Sequence, residues 1–461
     1  MTEPVALETI QACFEGQIPS PFATCSAEGV PNVTYMSIVH YVDSDRVALS
    51  RQFFNKTRAN LDANPRGVVR VVDPETFAQY DLDLEFLHSE SQGPTFEAMR
   101  ASLEAIASQT GMGGVFRLRG VDIHRVVRCT EAAAPAAERP QRAQHDPLLG
   151  LEELSRRLAT CCEYEEASAA ALEGLDDLFG FAPSTLLIRD PAAERLFAVA
   201  SNGYPSSAAG AEVEVGEGVV GTAASTGQVV CVPNLTRSRV MQSALRAQVE
   251  SNEGSLGEEI PLPGLANAQS VAAVPLEAHG AVTGVLYLES EQSGAFGPHN
   301  QRLLRMIGRH LAAVLSGLVA EGETGAGDRT PPVAPANPAT RPVSVTYYQA
   351  DDSVFVDDAY VIKGAAGRIL WKMLREQAAD GRTEFSNREL RLDESLGLPA
   401  GADNLEARLL MLRKRLAGGD FVIGLERVGR GRLELRAAGP LRLSEVETGG
   451  VMRAAHGPES K

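Results

Sequence analysis

The sequence predicts a multidomain α+β protein, and three observations support that prediction. The chain has 461 residues, enough for about three domains of ordinary size. Two segments, 131–147 and 321–342, are rich in Ala, Pro, Gly and charge and have almost no large apolar side chains, so they are expected to be linkers. Elsewhere, strand-like alternation is combined with helical spacing of apolar residues. Domains are therefore expected at 1–130, 148–320 and 343–440, before a disordered tail at 441–461.

Composition and charge restrict the classes of function. The chain is 44% hydrophobic and has a formal net charge of −17, which is typical of a soluble globular protein that repels nucleic acid at long range. Any DNA binding must therefore come from a local basic patch. The N terminus lacks a basic and apolar signal, and no run is long enough to cross a membrane. A cytoplasmic protein without membrane contact is expected.

The six cysteines are scattered, without CxxC spacing and without histidines at metal-ligand intervals. No metal site is predicted, and the cysteines are interpreted as buried free thiols in a reducing compartment. They are Cys13, Cys25, Cys129, Cys161, Cys162 and Cys231.

The first domain alternates short apolar runs with polar turns, which predicts a small barrel with one or two helices. A short helix is expected at 9–15, a hairpin at 38–49, a central strand at 68–72, a helix at 95–106 and a last strand at 114–126. Asp81, Asp83 and Glu85 alternate on a further strand and are interpreted as a solvated face. His40, His88 and His124 are interpreted as surface or hydrogen-bonded residues without a catalytic role.

Residues 50–61 form the best candidate for a ligand site in this domain. Arg51, Lys56 and Arg58 place three cations beside the hydroxyl of Thr57 and the amides of a helix start. Such a cluster suits an anion, phosphate above all. The alternative is a solvated turn with ordinary surface cations.

Residues 18–127 resemble the pyridoxamine-phosphate-oxidase-like FMN-binding split barrels, on the motifs PFAT at 21–24, GVPN at 29–32 and NKTRANL at 55–61. The resemblance implies a split β-barrel whose strand end and turn lie beside the FMN phosphate, with the isoalloxazine near residues 35–37. Some members bind deazaflavin or haem instead, and some have no cofactor. Residues for a vitamin B6 substrate have no match here, so that oxidase activity is not predicted. The implied cofactor-binding residues are Ser50, Arg51, Asn55, Lys56 and Thr57.

The second domain is predicted to begin with a helix from residue 148 through 168, in which Cys161 and Cys162 are about 100° apart and unsuited to joint chelation. Strands are expected at 185–188, 196–200, 270–276 and 282–290, and a closing helix at 303–314. Gly218 and Gly221 are expected to precede a short helix that Gly227 ends. A phosphate loop is not indicated because neither Gly-Lys-Ser/Thr nor GxGxxG occurs. Residues 237–265 are interpreted as a mobile cover over a pocket.

This order of elements, with GEGVVGTAASTG at 216–227 and GVLYLES at 284–290, closely resembles a GAF domain. The resemblance implies an α/β sandwich that encloses a small ligand or passes strain between the helices of a dimer.

The third domain is predicted to begin with strands at 344–348, 353–356 and 360–364, followed by a helix at 365–376. Ser386 and Glu389 have the spacing of a capping box at the start of a second helix. A third helix is expected at 403–416, capped by Asp403, and a hairpin with arginines at its tip at 421–435.

These elements resemble the winged helix of response-regulator output domains, on VIKGAAGRIL at 361–370, LRKRL at 412–416 and ERVGRGRLEL at 426–435. The resemblance implies that the third helix enters the major groove and the wing contacts the backbone or minor groove. Basic residues outnumber acidic ones by eight to four between 404 and 436. Glu406 is unusual for a DNA reader, and a protein contact is the alternative. The implied DNA-binding residues are Arg408, Arg413, Lys414, Arg427, Arg430 and Arg432.

Together the three domains predict a cytoplasmic, homodimeric transcriptional regulator that senses flavin redox state or a small ligand. The rival hypotheses are an FMN-dependent oxidoreductase with regulatory domains and a signalling scaffold that binds only proteins. No acid–base pair or nucleophile triad is evident in the sequence.

Overall fold

The structure is a computed structural model that describes most of the chain in three segments. The first segment comprises residues 4–134, the second 146–322 and the third 342–454. The described residues are 4–14, 18–51, 56–74, 76–109, 118–134, 146–190, 194–205, 207–235, 262–322, 342–398, 405–419, 421–429, 431–446 and 452–454. None of the helices described in these ranges is both long and apolar enough to cross a membrane.

The first segment is a seven-stranded antiparallel sheet with strand order β2-β1-β5-β6-β7-β4-β3, which fits the predicted split barrel. Alternate residues such as Val69, Val71, Leu82 and Leu84 face its core. After a 3-10 helix at Leu7–Phe14, the elements are β1 Ser20–Cys25, β2 Pro31–Met36, β3 Val39–Tyr41, β4 Arg46–Arg51, α1 Lys56–Ala63, β5 Arg66–Val72, β6 Gln79–Glu90, α2 Pro94–Gln109 and β7 Gly120–Ala133.

Strand β7 differs from its predicted range of 114–126. It starts at Gly120 and continues to Ala133 because the long strand β6 pairs with it as far as Gln79. Residues 111–117 lie outside the described residues. The first residues of the expected linker, 131–133, are thus part of the sheet.

The second segment is an α/β sandwich. Its sheet has the order β10-β9-β8-β13-β12-β11. Leu186 and Ile188 face the core formed with α3, α4 and α6, whereas Leu187 faces the core formed with α5. The elements are α3 Pro147–Thr160, α4 Tyr164–Phe179, β8 Ser184–Asp190, β9 Arg195–Asn202, β10 Glu212–Glu214, α5 Gly218–Thr226, β11 Val230–Val232, β12 Ser270–Ala278, β13 Ala281–Ser290 and α6 Pro298–Gly322.

The leading helix predicted for this segment is two helices. Cys161 closes α3 in an extended conformation (φ −73°, ψ 129°), and Glu163 begins α4. The two cysteines therefore lie in the turn between helices, and their predicted placement on one continuous helix is wrong. Cys162 is exposed, which also corrects its interpretation as a buried thiol.

Helix α5 begins at Gly218 and includes Gly221, so Gly221 does not precede it as predicted. The helix passes so close to β10 that a Cβ atom on Gly221 would lie 2.2 Å from the Glu214 carbonyl oxygen. Gly227 ends the helix in the left-handed region (φ 64°), as predicted.

The third segment has a small leading sheet, a group of helices and a hairpin, in the predicted order. The Ser386 hydroxyl accepts a hydrogen bond from the Glu389 amide at 3.2 Å, which confirms the predicted cap. Asp403 lies outside the described residues. The elements are β14 Val343–Tyr348, β15 Ser353–Val356, β16 Ala359–Ile362, α7 Gly364–Asp380, β17 Glu384–Ser386, α8 Asn387–Leu392, α9 Leu405–Gly418, β18 Ile423–Gly429, β19 Arg432–Ala437, β20 Leu441–Val446 and β21 Met452–Ala454.

The start of the predicted disordered tail is ordered. Strand β20 pairs in parallel with β14, with Val343 opposite Leu441, and β21 pairs with β20. Strands β14 and β20 are parallel and far apart in sequence, so no short turn connects them. The sequence therefore has no local signal that predicts β20.

The three segments share apolar packing. Ala101 and Ala105 of α2 belong to the same buried cluster as Ala223 and Ala224 of α5. The core of the second segment continues into that of the third. Apolar surface is therefore buried across both boundaries in this conformation.

The contact at Gly221 leads to a stability prediction. Gly221→Ala is expected to destabilise the second segment by about 1–3 kcal/mol, because the new methyl group meets rigid backbone. Thermal and urea unfolding of the full chain would measure this loss. The matched control is Gly317→Ala in α6, where a Cβ meets nothing within 4 Å; it is expected to leave stability unchanged or raise it. Equal stability of the two variants would contradict the proposed close contact.

Candidate functional site

An open cleft of about 720 Å³ lies in the first segment, where β4 ends and α1 begins. It includes three of the predicted cofactor-binding residues. The cleft is lined by Phe22, Thr34, Tyr35, Met36, Ser37, Leu49, Ser50, Arg51, Thr57, Arg58, Leu61, Asp122 and His124.

Two arginines share one largely buried carboxylate on the cleft wall. Arg51 Nε lies 3.6 Å and Arg58 Nη1 3.5 Å from Asp122 Oδ1. Ser89 links the pair, since its hydroxyl donates to Asp122 Oδ1 at 2.5 Å and accepts from Arg58 Nη1 at 2.7 Å. Arg58 also pairs with Asp62 at 2.9 Å, at the exposed rim. Both guanidinium groups are therefore held in place before any ligand binds.

The position of Arg51 depends on a glycine in the neighbouring strand. Arg51 is the last residue of β4 and stands opposite Gly120 in β7. A Cβ atom on Gly120 would lie 2.3 Å from Arg51 Nη2. Gly120 thus leaves the space that the guanidinium group occupies.

Two hydroxyl groups complete the polar wall. Ser50 accepts a hydrogen bond from the Ile38 amide at 3.2 Å, and Thr57 accepts one from Asn32 Nδ2 at 3.0 Å. Ser50 and Thr57 are each 7% exposed. Because both oxygens act as acceptors in these bonds, both hydroxyl protons can be donated to a ligand.

The remaining predicted cofactor residues do not line the cleft. Lys56 is exposed at the first position of α1, and Asn55 lies outside the described residues. Conversely, Arg58, Asp122 and His124 line the cleft although the resemblance did not assign them to it. Arg58 could have been included because it lies in the same basic stretch. Asp122 and His124 alternate on β7, far from that stretch in sequence, and only the pairing of β7 with β4 brings them to it.

His124 is the most unusual group in the cleft. It is 0% exposed, with Phe22 and Phe86 packed edge-on at ring centroid distances of 5.7 and 5.5 Å. Its Nδ1 donates to the Asp122 carbonyl oxygen at 2.9 Å, whereas its buried Nε2 has no hydrogen-bond partner within the described part of the chain. Burial lowers the pKa of His124. The ring is therefore neutral near pH 7 and presents an Nε2 lone pair as an acceptor.

The second segment contains a buried polar cluster centred on Glu289, which is 6% exposed. Its carboxylate accepts hydrogen bonds from Tyr204 at 3.0 Å, Tyr287 at 3.1 Å and the Leu265 amide at 2.8 Å. Burial raises the pKa of both tyrosines, so they remain donors. The cluster attaches the end of the predicted cover to the sheet. Residues 237–261 of that cover lie outside the described residues.

The predicted DNA-binding cations of the third segment face protein in this conformation. Arg408 pairs with Asp190 at 3.0 Å, Arg413 with Glu165 at 2.6 Å, and Arg427 with Glu163. All three carboxylates belong to the second segment.

The other cations of this set are placed differently. Arg432 pairs with Glu384 inside the third segment at 3.1 Å. Burial lowers the pKa of Lys414, and Arg430 lies outside the described residues. Across the described ranges, no group of three or more His, Cys, Asp or Glu side chains could hold a metal ion.

Two parts of the chain match known family models. Residues 6–110 match the family described as pyridoxamine 5'-phosphate oxidase, and residues 163–315 match the GAF domain. The chain thus contains a pyridoxamine 5'-phosphate oxidase-like domain and a GAF-like domain, and each match covers less than half of the chain. Neither of these two matches extends into the third segment. None of the curated proteins matches the chain.

The solved structures that are similar to single segments of the chain include the following three. An FMN-binding protein from Syntrophomonas wolfei is 17% identical, with 28% of this chain and 86% of that chain covered and a TM-score of 0.24. The GAF domain of an Acinetobacter phosphoenolpyruvate-protein phosphotransferase is 19% identical, with 39% and 97% covered and a TM-score of 0.30. A free methionine-R-sulfoxide reductase from Neisseria meningitidis is 18% identical, with 40% and 97% covered and a TM-score of 0.30.

The buried His124 makes the stability of the first segment depend on pH. Because its folded-state pKa lies below the ordinary value of 6.5, the unfolded chain binds more protons, and stability falls as pH drops below about 6.5. Calorimetric unfolding from about pH 7.5 to about pH 5.5 is expected to show this loss, with a smaller loss for His124→Gln. The exposed His88 supplies the control: His88→Gln should keep the wild-type pH dependence. A steeper dependence in His124→Gln would disprove the assignment.

Proposed function

We propose that the protein is a sensory regulator that binds FMN in the cleft of the first segment and controls DNA binding by the third. The observation that carries this proposal is the contact between α2 and α5. Helix α2 starts four residues after β6, the strand that holds Ser89 of the cleft network, and ends packed on the GAF domain. A change in the cleft can therefore reach the GAF domain through one strand and one helix.

The cleft residues fit the phosphate end of FMN. Arg51 and Arg58 would supply charged N–H donors, although Asp122 and Asp62 balance their charges, and the hydroxyls of Ser50 and Thr57 add donors, as a phosphate requires. When bound, FMN would supply reversible one- or two-electron redox chemistry. The protein groups named here would orient the cofactor and hold its charge.

The element order of the third segment supports a winged helix as the DNA-binding output. A leading sheet, three helices and the β18–β19 hairpin follow one another as in that fold. Glu406, which seemed unsuited to DNA, receives a hydrogen bond from Arg391 of α8 at 2.8 Å. Its role is therefore to join α8 to α9, and its charge is neutralised within the segment.

An exposed apolar stripe supports a homodimer. Val33 and Tyr35 on β2 are 63% and 72% exposed, and Val68 on β5 is 39% exposed. Val33 and Val68 flank Ala23 across the sheet. Because Tyr35 also lines the cleft, a partner on this face would cover the bound cofactor.

The dimer proposal is tested by a charge on this stripe. Val33→Lys is expected to shift the full chain toward monomer, because an unpaired charge would be buried in the interface. Sedimentation velocity measures the shift. Val422→Lys, at a 40% exposed position of the third segment, is the control. A wild-type protein that is monomeric at micromolar concentration would overturn the proposal.

Cofactor binding is tested by titrating FMN and following its fluorescence. Arg51→Gln and Arg58→Gln are each expected to weaken binding by about tenfold or more, the loss typical of one charge-assisted hydrogen bond. Gly120→Ala should also weaken binding, because the methyl group displaces the Arg51 side chain. The control is Arg66→Gln at an exposed position outside the cleft.

The outcomes separate the rival functions. A wild-type protein that takes up no FMN would overturn the flavin proposal, and equal affinity in Arg51→Gln would overturn the phosphate placement. Sustained turnover of a reductant by the FMN-loaded protein would favour the oxidoreductase instead of a sensor.

A further inference from the structure

The first half of helix α9 is buried on all sides. Every residue from 407 to 412 is buried, although a surface helix normally exposes one face in every turn. One side of the helix packs on its own segment, including α7 and β18, and the other packs on β9 and α4 of the GAF domain. The part of the helix from 407 to 412 therefore has no free face for a DNA groove in this conformation.

The charges across this contact are complementary. Three arginines of the third segment, Arg408, Arg413 and Arg427, pair with three carboxylates of the GAF domain. Arg408 is the most enclosed, with a side chain only 4% exposed.

The three carboxylates come from two places in the GAF domain. Glu163 and Glu165 begin α4, where Glu163 makes no side-chain cap to its own helix; Asp190 ends β8. Their negative charges lie against the arginines as DNA phosphates would.

Two open clefts lie along the contact between the segments. Phe197 and Met411 are among the residues that line one cleft, and Tyr164 and Leu410 are among those that line the other.

Strand β9 of the GAF domain has side chains in two different apolar clusters. Leu196 and Ala198 of β9 face the cluster that contains α2 and α5, whereas Phe197 and Val199 face the core shared with the third segment. A displacement of α5 therefore acts on the strand against which α9 packs.

We infer that the GAF domain masks the DNA-binding surface of the third segment, with Glu163, Glu165 and Asp190 in place of DNA phosphates, and that input from the first two segments releases it. This inference rests on the proposed DNA-binding output. It adds the mechanism by which that output is kept inactive in an acidic protein.

The test reverses two of the carboxylates in the full-length chain. Glu163→Arg/Glu165→Arg places like charges opposite Arg427 and Arg413, and its matched control is Glu152→Arg/Glu173→Arg, with the same change in net charge at exposed positions of α3 and α4. Docking is read from hydrogen exchange of residues 405–418. DNA affinity is read from the anisotropy of a labelled duplex of mixed sequence at several salt concentrations.

In the reversed variant, the amides of residues 405–418 are expected to exchange faster than in the control. The variant is also expected to bind DNA about tenfold more tightly, because a gain of that size follows if roughly one wild-type molecule in ten is undocked. The charge swap Glu163→Arg/Arg427→Glu should restore slow exchange. It thereby separates loss of docking from loss of folding.

Each of three other outcomes would overturn a different part of the inference. Unchanged exchange at 405–418 would overturn the masking contact. If the reversed variant exchanges faster but both variants bind DNA with equal affinity, the masking is overturned and the proposed DNA binding by the third segment stands. Faster exchange with no DNA binding by any variant at low salt would overturn the DNA-binding output, and with it the inference.

Discussion

The close approach of α2 to α5 is the contact on which the arrangement of the first two segments depends. Ala101, Ala105, Ala223 and Ala224 are at most 2% exposed, and their small side chains let the two helices approach closely. Larger residues would separate the helices and leave voids between the segments. Because α2 continues from the strand that carries Ser89, the same contact ties the GAF domain to the arginines of the cleft. The geometry of the cleft and the docking of the segments are therefore linked.

Charge imposes the second constraint. With a net charge of −17, the chain has many more carboxylates than cations, and carboxylates pair with the arginines of both candidate sites. Asp122 positions Arg51 and Arg58 in the cleft, and Asp190 neutralises Arg408 in the third segment. Such pairing keeps guanidinium groups ordered until a phosphate-bearing ligand competes for them. Pairing with a carboxylate thus orders the arginines of both candidate anion sites.

Several elements could be read from the sequence because their signals are local. The spacing of Ser386 and Glu389 identified a helix cap, and Gly227 identified a helix end, since each signal depends on a few neighbouring residues. The break at Cys161 was missed because helical periodicity continues through it into α4. The family resemblance located the cleft at Ser50 and Arg51, but it could not assign Asp122 or His124, which reach the site only through strand pairing.

By itself, the sequence predicted three domains, three family resemblances, of which family models support two, and the basic stretch beside which the cleft forms. These follow from composition, periodicity and motifs, which act over short distances along the chain. Only the tertiary structure decided that Gly120 makes room for Arg51, that His124 keeps a buried acceptor, and that Arg408 meets Asp190 across a segment boundary. Each of these joins residues that are distant in sequence, and their proximity results from strand register and from burial of apolar surface between segments.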